Sequence, residues 1–375
     1  MKKDTSIFQN LKEENRNRIY NTIREKKCIS GPALIYELKL SRPTVTQNIN
    51  ELLEEGLICE NGTIGNTGGR RARGYSISEM FQIAAGLDIT RNHITVLLVN
   101  LNGEIIYEKR IRYPFSITDE YKKKLGELIS EAMEEKAIHE EQMLGVGIAV
   151  PGLVTKDYRT IFYGKILDFE GMTAEEFGKY IPFPCRLYND ADAGGYAEIS
   201  QNSELKDAFY ISLSNNIGGS ILIDHKVYHG EGQRSGEVGH MTLIPNGREC
   251  YCGKRGCFET YCNASILSDV CDGNLQDFFQ KLEQGDRECM ELWRDYLYYL
   301  SIAVNNVRML FDCKVILGGY VGAYMSDYMH QIRTLARERN TFETNADFLQ
   351  PCQVKREALA LGSALPFIHE FWEKV

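Results

Sequence analysis

The residues best equipped for chemistry lie between Gly236 and Glu259 of this 375-residue chain. Gly236-Glu237-Val238-Gly239-His240 is followed, after nine residues, by Cys250-Tyr251-Cys252-Gly253-Lys254-Arg255-Gly256-Cys257-Phe258-Glu259. Three thiols and one upstream imidazole supply four soft or borderline ligands, the number a closed tetrahedral zinc site takes. Gly253 and Gly256 let the backbone turn tightly enough to aim the sulfurs at one point. The bland alternative is a cluster of reduced, buried cysteines. The spacing favours one structural Zn2+ per chain at His240, Cys250, Cys252 and Cys257. With no ligand position left open, such a metal braces a loop and does not activate water.

Two further groups of polar residues belong with this knuckle. Glu237, His240 and Glu259 sit on backbone the metal would fix, and the second ring nitrogen of a zinc-bound histidine is free to hold a carboxylate or a ligand. Asn189-Asp190 follows an apolar stretch ending in Tyr188, which predicts a strand end, where α/β proteins hold ligands. An aspartate there can accept a hydrogen bond from a sugar hydroxyl or take its proton in an enzyme. Taken alone, Asn-Asp also reads as a turn.

The elements that must position these residues form two regions of opposite charge. Residues 1–78 carry 13 Lys+Arg against 9 Asp+Glu, whereas the remainder is net −13 in a chain of net charge −9. A basic end can face a polyanion that the acidic body would repel. No apolar run reaches the length of a membrane span, and the N-terminus reads as polar rather than as a signal core, so a cytoplasmic protein with reduced thiols is expected.

In the basic region, Glu13–Lys27 reads as a helix, Ser30 caps a second helix to about Leu38, and Ser41 with Pro43 starts a third that runs to about Glu55. Val45, Ile49, Leu52 and Leu53 fall on one face of it, leaving Thr44, Gln47 and Asn50 outward with Thr46 at the margin. Such side chains suit reading base edges in a major groove, and Arg42 opens the same helix. Leu57–Glu60 and Tyr75–Ile77 then pair as a two-stranded wing, with Arg70 and Arg71 on its glycine-rich tip placed to enter a minor groove or clamp phosphates. A small helical domain with a solvated basic loop is the plainer reading; the order of elements favours double-stranded DNA.

After residue 80 strands and helices alternate. Ala84–Leu101 and Ile105–Ile111 flank Asn102-Gly103, Lys122–Glu135 is helical, and Leu144–Val150 is a buried strand. A second set comprises Ala208–Leu213, a turn at Gly218-Gly219, a strand at Ser220–Ile223, helical stretches over Leu275–Leu310, and Lys314–Leu317 before Gly318-Gly319. Two successive sheet-and-helix units predict two α/β lobes with a cleft between them.

With these motifs in place, the chain resembles the ROK family of sugar kinases and sugar-responsive repressors over essentially its whole length. The resemblance rests on the Gly236–His240 and Cys250–Glu259 signatures, supported by Pro151-Gly152, Asn189-Asp190, Ile217-Gly218-Gly219 and Ile316-Leu317-Gly318-Gly319. The Ser41–Val45 helix start and the Gly-Gly-Arg-Arg wing are similar to the repressor branch. The resemblance implies a winged helix-turn-helix domain over 1–80 and a two-lobed, actin-like sugar-binding body with a structural zinc over 81–375. Within that body it implies a smaller lobe of about 81–190 plus the C-terminal helix and a larger one of about 191–360. It implies sugar contacts from Asn189, Asp190, Glu237, His240 and Glu259, with Asp168 where kinases of the family have an asparagine.

Departures from the kinase pattern bear on activity. Asp-x-Gly-Gly-Thr is replaced by Asp88-Ile89-Thr90-Arg91-Asn92-His93, and the second phosphate loop reads Ser214-Asn215-Asn216-Ile217-Gly218-Gly219. Side chains in place of glycines are expected to obstruct a nucleotide. The expected function is therefore a non-enzymatic, sugar-responsive repressor of carbohydrate-utilisation genes, at least dimeric, released from its operator by a sugar in the cleft. The alternatives are an ATP-dependent kinase with Asp190 as base, or a regulator controlled by a protein partner without sugar.

Overall fold

The computed structural model describes residues 2–64, 72–202, 204–355 and 357–375, with side chains from residue 11 onward. The basic region begins with α1 (Lys2–Lys26), which starts earlier than its apolar pattern suggests, followed by β1 (Ile29–Ser30), α2 (Gly31–Leu38) and α3 (Arg42–Glu54). Ser30 caps α2 by accepting from Ala33 N–H at 3.4 Å, and Ser41 caps α3 by accepting from Thr44 N–H at 3.3 Å. Lys39 takes the left-handed conformation that turns one helix into the next. Strands β2 (Ile58–Ile64) and β3 (Ala72–Ile77) form the wing. It is three-stranded, not two-stranded, because β1 pairs antiparallel with β3 through Ile29 and Ser30. Two residues are too short a run for sequence periodicity to reveal.

In the body, β4 (Ile83–Ile89), β5 (His93–Asn100) and β6 (Ile105–Arg112) form a meander, so the apolar stretch Ala84–Leu101 is two strands and not one. Thr90–Asn92 makes the reversal; the Thr90 hydroxyl accepts from His93 N–H at 3.1 Å. Helix α4 (Asp119–Glu135), β7 (Met143–Val150), the short β8 (Leu153–Val154) and β9 (Ile161–Tyr163), α5 (Ala174–Phe177) and β10 (Cys185–Asn189) follow. The first large sheet runs β10-β7-β4-β5-β6.

Helix α6 (Asp190–Gln201) carries the chain to β11 (Ala208–Leu213), β12 (Ile217–Ile223) and β13 (Lys226–Val227). Gly218 and Gly219 lie inside β12, paired with Ser212 and Ile211, so the expected turn moves back to Ser214–Asn216. They are glycines for closeness and not for turning: a Cβ on Gly218 would lie 2.7 Å from the Ala191 Cβ, and one on Gly219 2.7 Å from the Gly236 carbonyl. After α7 (Glu259–Cys262) and α8 (Ser265–Ser268), the expected helical stretches are α9 (Leu275–Glu283) and α10 (Arg287–Phe311), separated at Gly285. Strand β14 (Lys314–Gly318), α11 (Gly319–Gly322), α12 (Met325–Arg339), β15 (Leu349–Pro351) and α13 (Ala358–Lys374) complete the chain. The second sheet runs β13-β12-β11-β14-β15.

The two sheets are joined by α6 and α13, which pack on each other closely enough that a Cβ on Gly362 would strike the Ala193 carbonyl. Ile19, Tyr20 and Ile23 of α1 belong to the same apolar cluster as Leu361, Leu365 and Ile368 of α13. The head is therefore seated on the C-terminal helix by shared core. Among the described residues no helix is long and apolar enough to cross a membrane.

Candidate functional site

The Cys/His knuckle closes on itself as its spacing requires. One ligand atom each from His240, Cys250, Cys252 and Cys257 lies within 4.8 Å of all the others. The Cys252 and Cys257 sulfurs are 3.8 Å apart, and the Cys250 sulfur is 3.8 Å from His240 Nδ1. Tetrahedral Zn–S bonds of about 2.3 Å put ligand atoms about 3.8 Å apart, so the spacing is that of ligands around one ion. Gly253 and Gly256 both take positive φ, and a Cβ on Gly256 would lie 1.8 Å from the Ile244 carbonyl. The four residues can hold a metal. His240 Nε2 points away from the sulfurs to the Tyr251 hydroxyl at 3.2 Å, so within the chain the second-nitrogen partner is a phenol, where a carboxylate or a ligand is expected from the sequence.

Tyr251 lines the cleft between the sheets, together with Gly152, Tyr163, Lys165, Asn189, Asp190, Asn216 and Glu237. Asn189 ends β10 and caps α6, accepting from Asp192 N–H at 3.1 Å and donating to the Gly152 carbonyl at 3.0 Å. Asp190 accepts from Ala191 N–H at 2.8 Å. Burial, with added repulsion from Asp192, pushes the Asp190 carboxyl up to about 6 despite that bond. Glu237 rises to about 7 through burial and the repulsion of Asp190 and Asp192. Two carboxyls near their titration point, facing one small polar cleft, are suited to hydroxyl-rich ligands, because each can accept or donate a hydrogen bond.

The remaining expected sugar residues are placed differently. Glu259 is buried and its carboxylate accepts from Ile217 N–H at 2.6 Å, so it secures the loop before β12 instead of lining the cleft. Burial holds it at about 7. His240 reaches the cleft only through Tyr251. Asp168 is exposed in a left-handed turn and is not among the lining residues. Tyr163, Lys165 and Tyr251 were not foreseen; only Tyr251 carries a signal, its place between two metal ligands.

On α3, Thr46, Gln47 and Asn50 are exposed beside Arg42, while Thr44 is half-buried and its hydroxyl is 2.8 Å from that of Ser41. Thr44 thus helps close the helix start. Gln47 donates to Glu51 at 3.0 Å. Arg70 and Arg71 lie outside the described residues.

The side chains that replace glycine in the two loops do not fill the space beside them. A separate cavity of about 890 Å³ opens between Thr90–His93 on one side and Asn215, Ser268 and Asp272–Gln276 on the other. Arg91 leaves it open because its guanidinium is drawn to the Ile166 carbonyl at 2.8 Å.

A winged helix-turn-helix DNA-binding profile matches residues 12–58 and the ROK family profile matches residues 84–368. The chain belongs to the ROK family: a DNA-binding-type head on an actin-like, sugar-kinase-type body. It is 26% identical to the xylose repressor of Bacillus spizizenii, over 97% of either chain. Its fold matches a ROK family transcriptional regulator, a homologue of the Escherichia coli MLC protein, with a TM-score of 0.74 at 22% identity over 97% of each chain. The body alone matches a ROK glucokinase from Streptomyces griseus in complex with glucose and AMPPNP, with a TM-score of 0.63 at 21% identity over 76% of this chain and 98% of that one.

Proposed function

We propose that the protein is a sugar-responsive transcriptional repressor that binds operator DNA through residues 1–80 and a sugar in the cleft of residues 81–375, without enzymatic activity of its own. The observation that carries this reading is the union of two things in one chain. A DNA-binding-type head, with the exposed polar face of α3, sits on a body whose cleft is lined by Asn189, Asp190 and Glu237. Similarity to a xylose repressor makes xylose the first sugar to test.

The mechanism follows from how the cleft meets the head. The cleft has room for about 40 Å³, a few water molecules and no sugar ring, so a sugar requires the lobes to shift. Helix α6 begins at Asp190 and packs against α13, and α13 shares its core with α1. A shift at the first turn of α6 is thereby passed to the head. In a dimer, moving each head by a few ångströms takes both out of register with their half-sites. Sugar affinity that differs between the two arrangements by a few kcal/mol is enough to release the DNA.

We read the knuckle as structural zinc: its ligand set is Cys3His, its geometry is closed, and its ion would brace Tyr251 against the cleft. The protein is expected to work in the cytoplasm as a homodimer. A kinase reading draws on the resemblance of the body to a glucokinase and on Asp190 in the position of a base, but a base accelerates nothing without a positioned phosphoryl donor. The test is a footprint of the full chain on DNA upstream of sugar-utilisation genes, with and without xylose and ATP. A protected pseudo-palindrome lost on adding sugar supports the repressor; sugar-dependent ATP turnover without any protection would replace it with the kinase.

A further inference from the structure

Three spaces follow one another from the sugar cleft to the head. The cleft shares Leu153, Asn189 and Glu237 with a gap of about 30 Å³ beyond them. That gap shares Tyr158, Tyr188, Asp192 and His229 with a cavity of about 840 Å³, whose far side is lined by Asn21 and Arg24 of α1. The gap is thus a neck between cleft and head. Its walls come from the β8 segment, with Tyr158 after it, on one side and from His229, Gln233 and Ser235, which follow β13, on the other. A shift that admits a sugar ring to the cleft therefore widens the neck as well.

Tyr158 stands in this neck with a φ of 61°, in the left-handed region that glycine or asparagine usually occupies. Its ring packs on that of Tyr188 with centres 5.0 Å apart, and its hydroxyl lies 3.4 Å from His229 Nε2. His229 Nδ1 is in turn 3.2 Å from the Asp192 carboxylate, which also accepts from the Ser220 hydroxyl at 2.8 Å. A glycine would turn the chain here with less strain, so what the tyrosine adds is an oriented ring bordering both spaces.

The large cavity has the lining of a site for a neutral ligand. Arg186 is paired with Glu370, and Asp192 is held by His229 and Ser220. Among the described residues, the charges left without an ion pair are Arg24 and Lys226 against Glu25 and Glu373, which balance. Tyr158, Tyr188 and Tyr196 supply flat apolar surface, and the buried Tyr188 hydroxyl, beside the Arg186 guanidinium, makes no hydrogen bond of good geometry. A sugar ring presents the complementary mixture, with apolar C–H faces and hydroxyls around the edge.

We propose that the effector is a glycoside of at least two units, with one ring between Asn189, Asp190 and Glu237 and the next reaching past Tyr158 into the cavity under the head. This rests on the sugar-responsive reading and names the class of sugar. The second unit borders α1, α6 and α13 together, so it bears on the seat of the head directly, where a single ring acts only through α6.

The test is calorimetry on the full-length, metal-loaded protein without DNA, with xylobiose, cellobiose and maltose set against xylose and glucose. At least one disaccharide should bind about tenfold or more tightly than its own monosaccharide, at one site per chain, with the monosaccharide competing. Tyr158→Gly, which suits the local φ, should weaken the disaccharide by about tenfold and the monosaccharide by less than about threefold. If that variant does not fold, His229→Ala, which opens the other wall of the neck, should give the same split. Disaccharides no tighter than their monosaccharides, or tight binding unchanged in both variants, overturns the proposal and leaves the repressor reading standing. No binding of any of these sugars overturns the proposal and counts against the sugar-responsive reading as well.

Discussion

The guanidinium of Arg24 lies 4.0 Å over the ring of Trp372, clamping the first helix of the head to the end of α13. Trp372 in turn packs against His369, with ring centres 4.6 Å apart, and His369 Nδ1 is hydrogen-bonded to the Tyr196 hydroxyl of α6. The path from Asp190 at the start of α6 to the head is thus a run of packed, oriented rings, and these residues surround a cavity of about 840 Å³ under the head.

Replacing Trp372 with alanine removes the stacking partner of Arg24 without touching the sugar cleft. Sugar affinity should change less than about threefold, while the effect of sugar on operator binding should fall by about tenfold, within the usual range of coupling energies. Calorimetry for sugar and fluorescence anisotropy for DNA read the two quantities separately.

Metal content should be about one zinc per chain by elemental analysis. Cys252→Ser removes one ligand of four and should lower the melting temperature by several degrees, on the order of 2–4 kcal/mol. Chelator should lower the wild type to a similar value and leave the variant little changed.

Acid should strengthen the contribution of Glu237 to the stability of the sugar-free protein. Glu237 has its folded-state value raised from 4.5 to about 7, so the folded state holds the proton more tightly than the unfolded one. Its contribution is complete below about 4.5 and is lost as pH rises through about 7. Glu237→Gln should therefore raise the melting temperature at pH 8, by about 1–2 kcal/mol allowing for solvent screening, and the gain should vanish near pH 5. Differential scanning fluorimetry across this range checks the sign.

On the DNA side, Gln47→Ala and Asn50→Ala should each cost about 1–3 kcal/mol at one operator position and relax its specificity. Ser41→Ala should cost about 1 kcal/mol of head stability through the lost cap. Anisotropy on single-base operator variants and thermal melting of the head distinguish the two effects. Operator affinity unchanged on deleting residues 1–78 would show that another surface binds DNA.

Much of this was legible in the sequence because it rests on local rules. Ser30 and Ser41 announce helices through their hydroxyls, and Cys250, Cys252 and Cys257 announce a knuckle through spacing and two glycines. What stayed hidden depends on contacts distant in sequence. Gly218-Gly219 reads as a turn until Ala191 and Gly236 are seen against it, and β1 exists only because β3 lies beside it. Glu259 looks like a ligand for sugar, but the fold gives it the Ile217 amide. Tyr163 and Lys165 enter the cleft from a segment whose composition carries no pattern.

The central claim is that cleft and head are one coupled system, and reciprocity tests it most directly. The sugar's dissociation constant is measured by calorimetry on the free protein and on the protein saturated with operator. Sugar binding should be weaker on the operator complex by the same factor, about 5- to 150-fold, by which sugar weakens operator binding. Equal sugar affinity with and without operator would contradict the account.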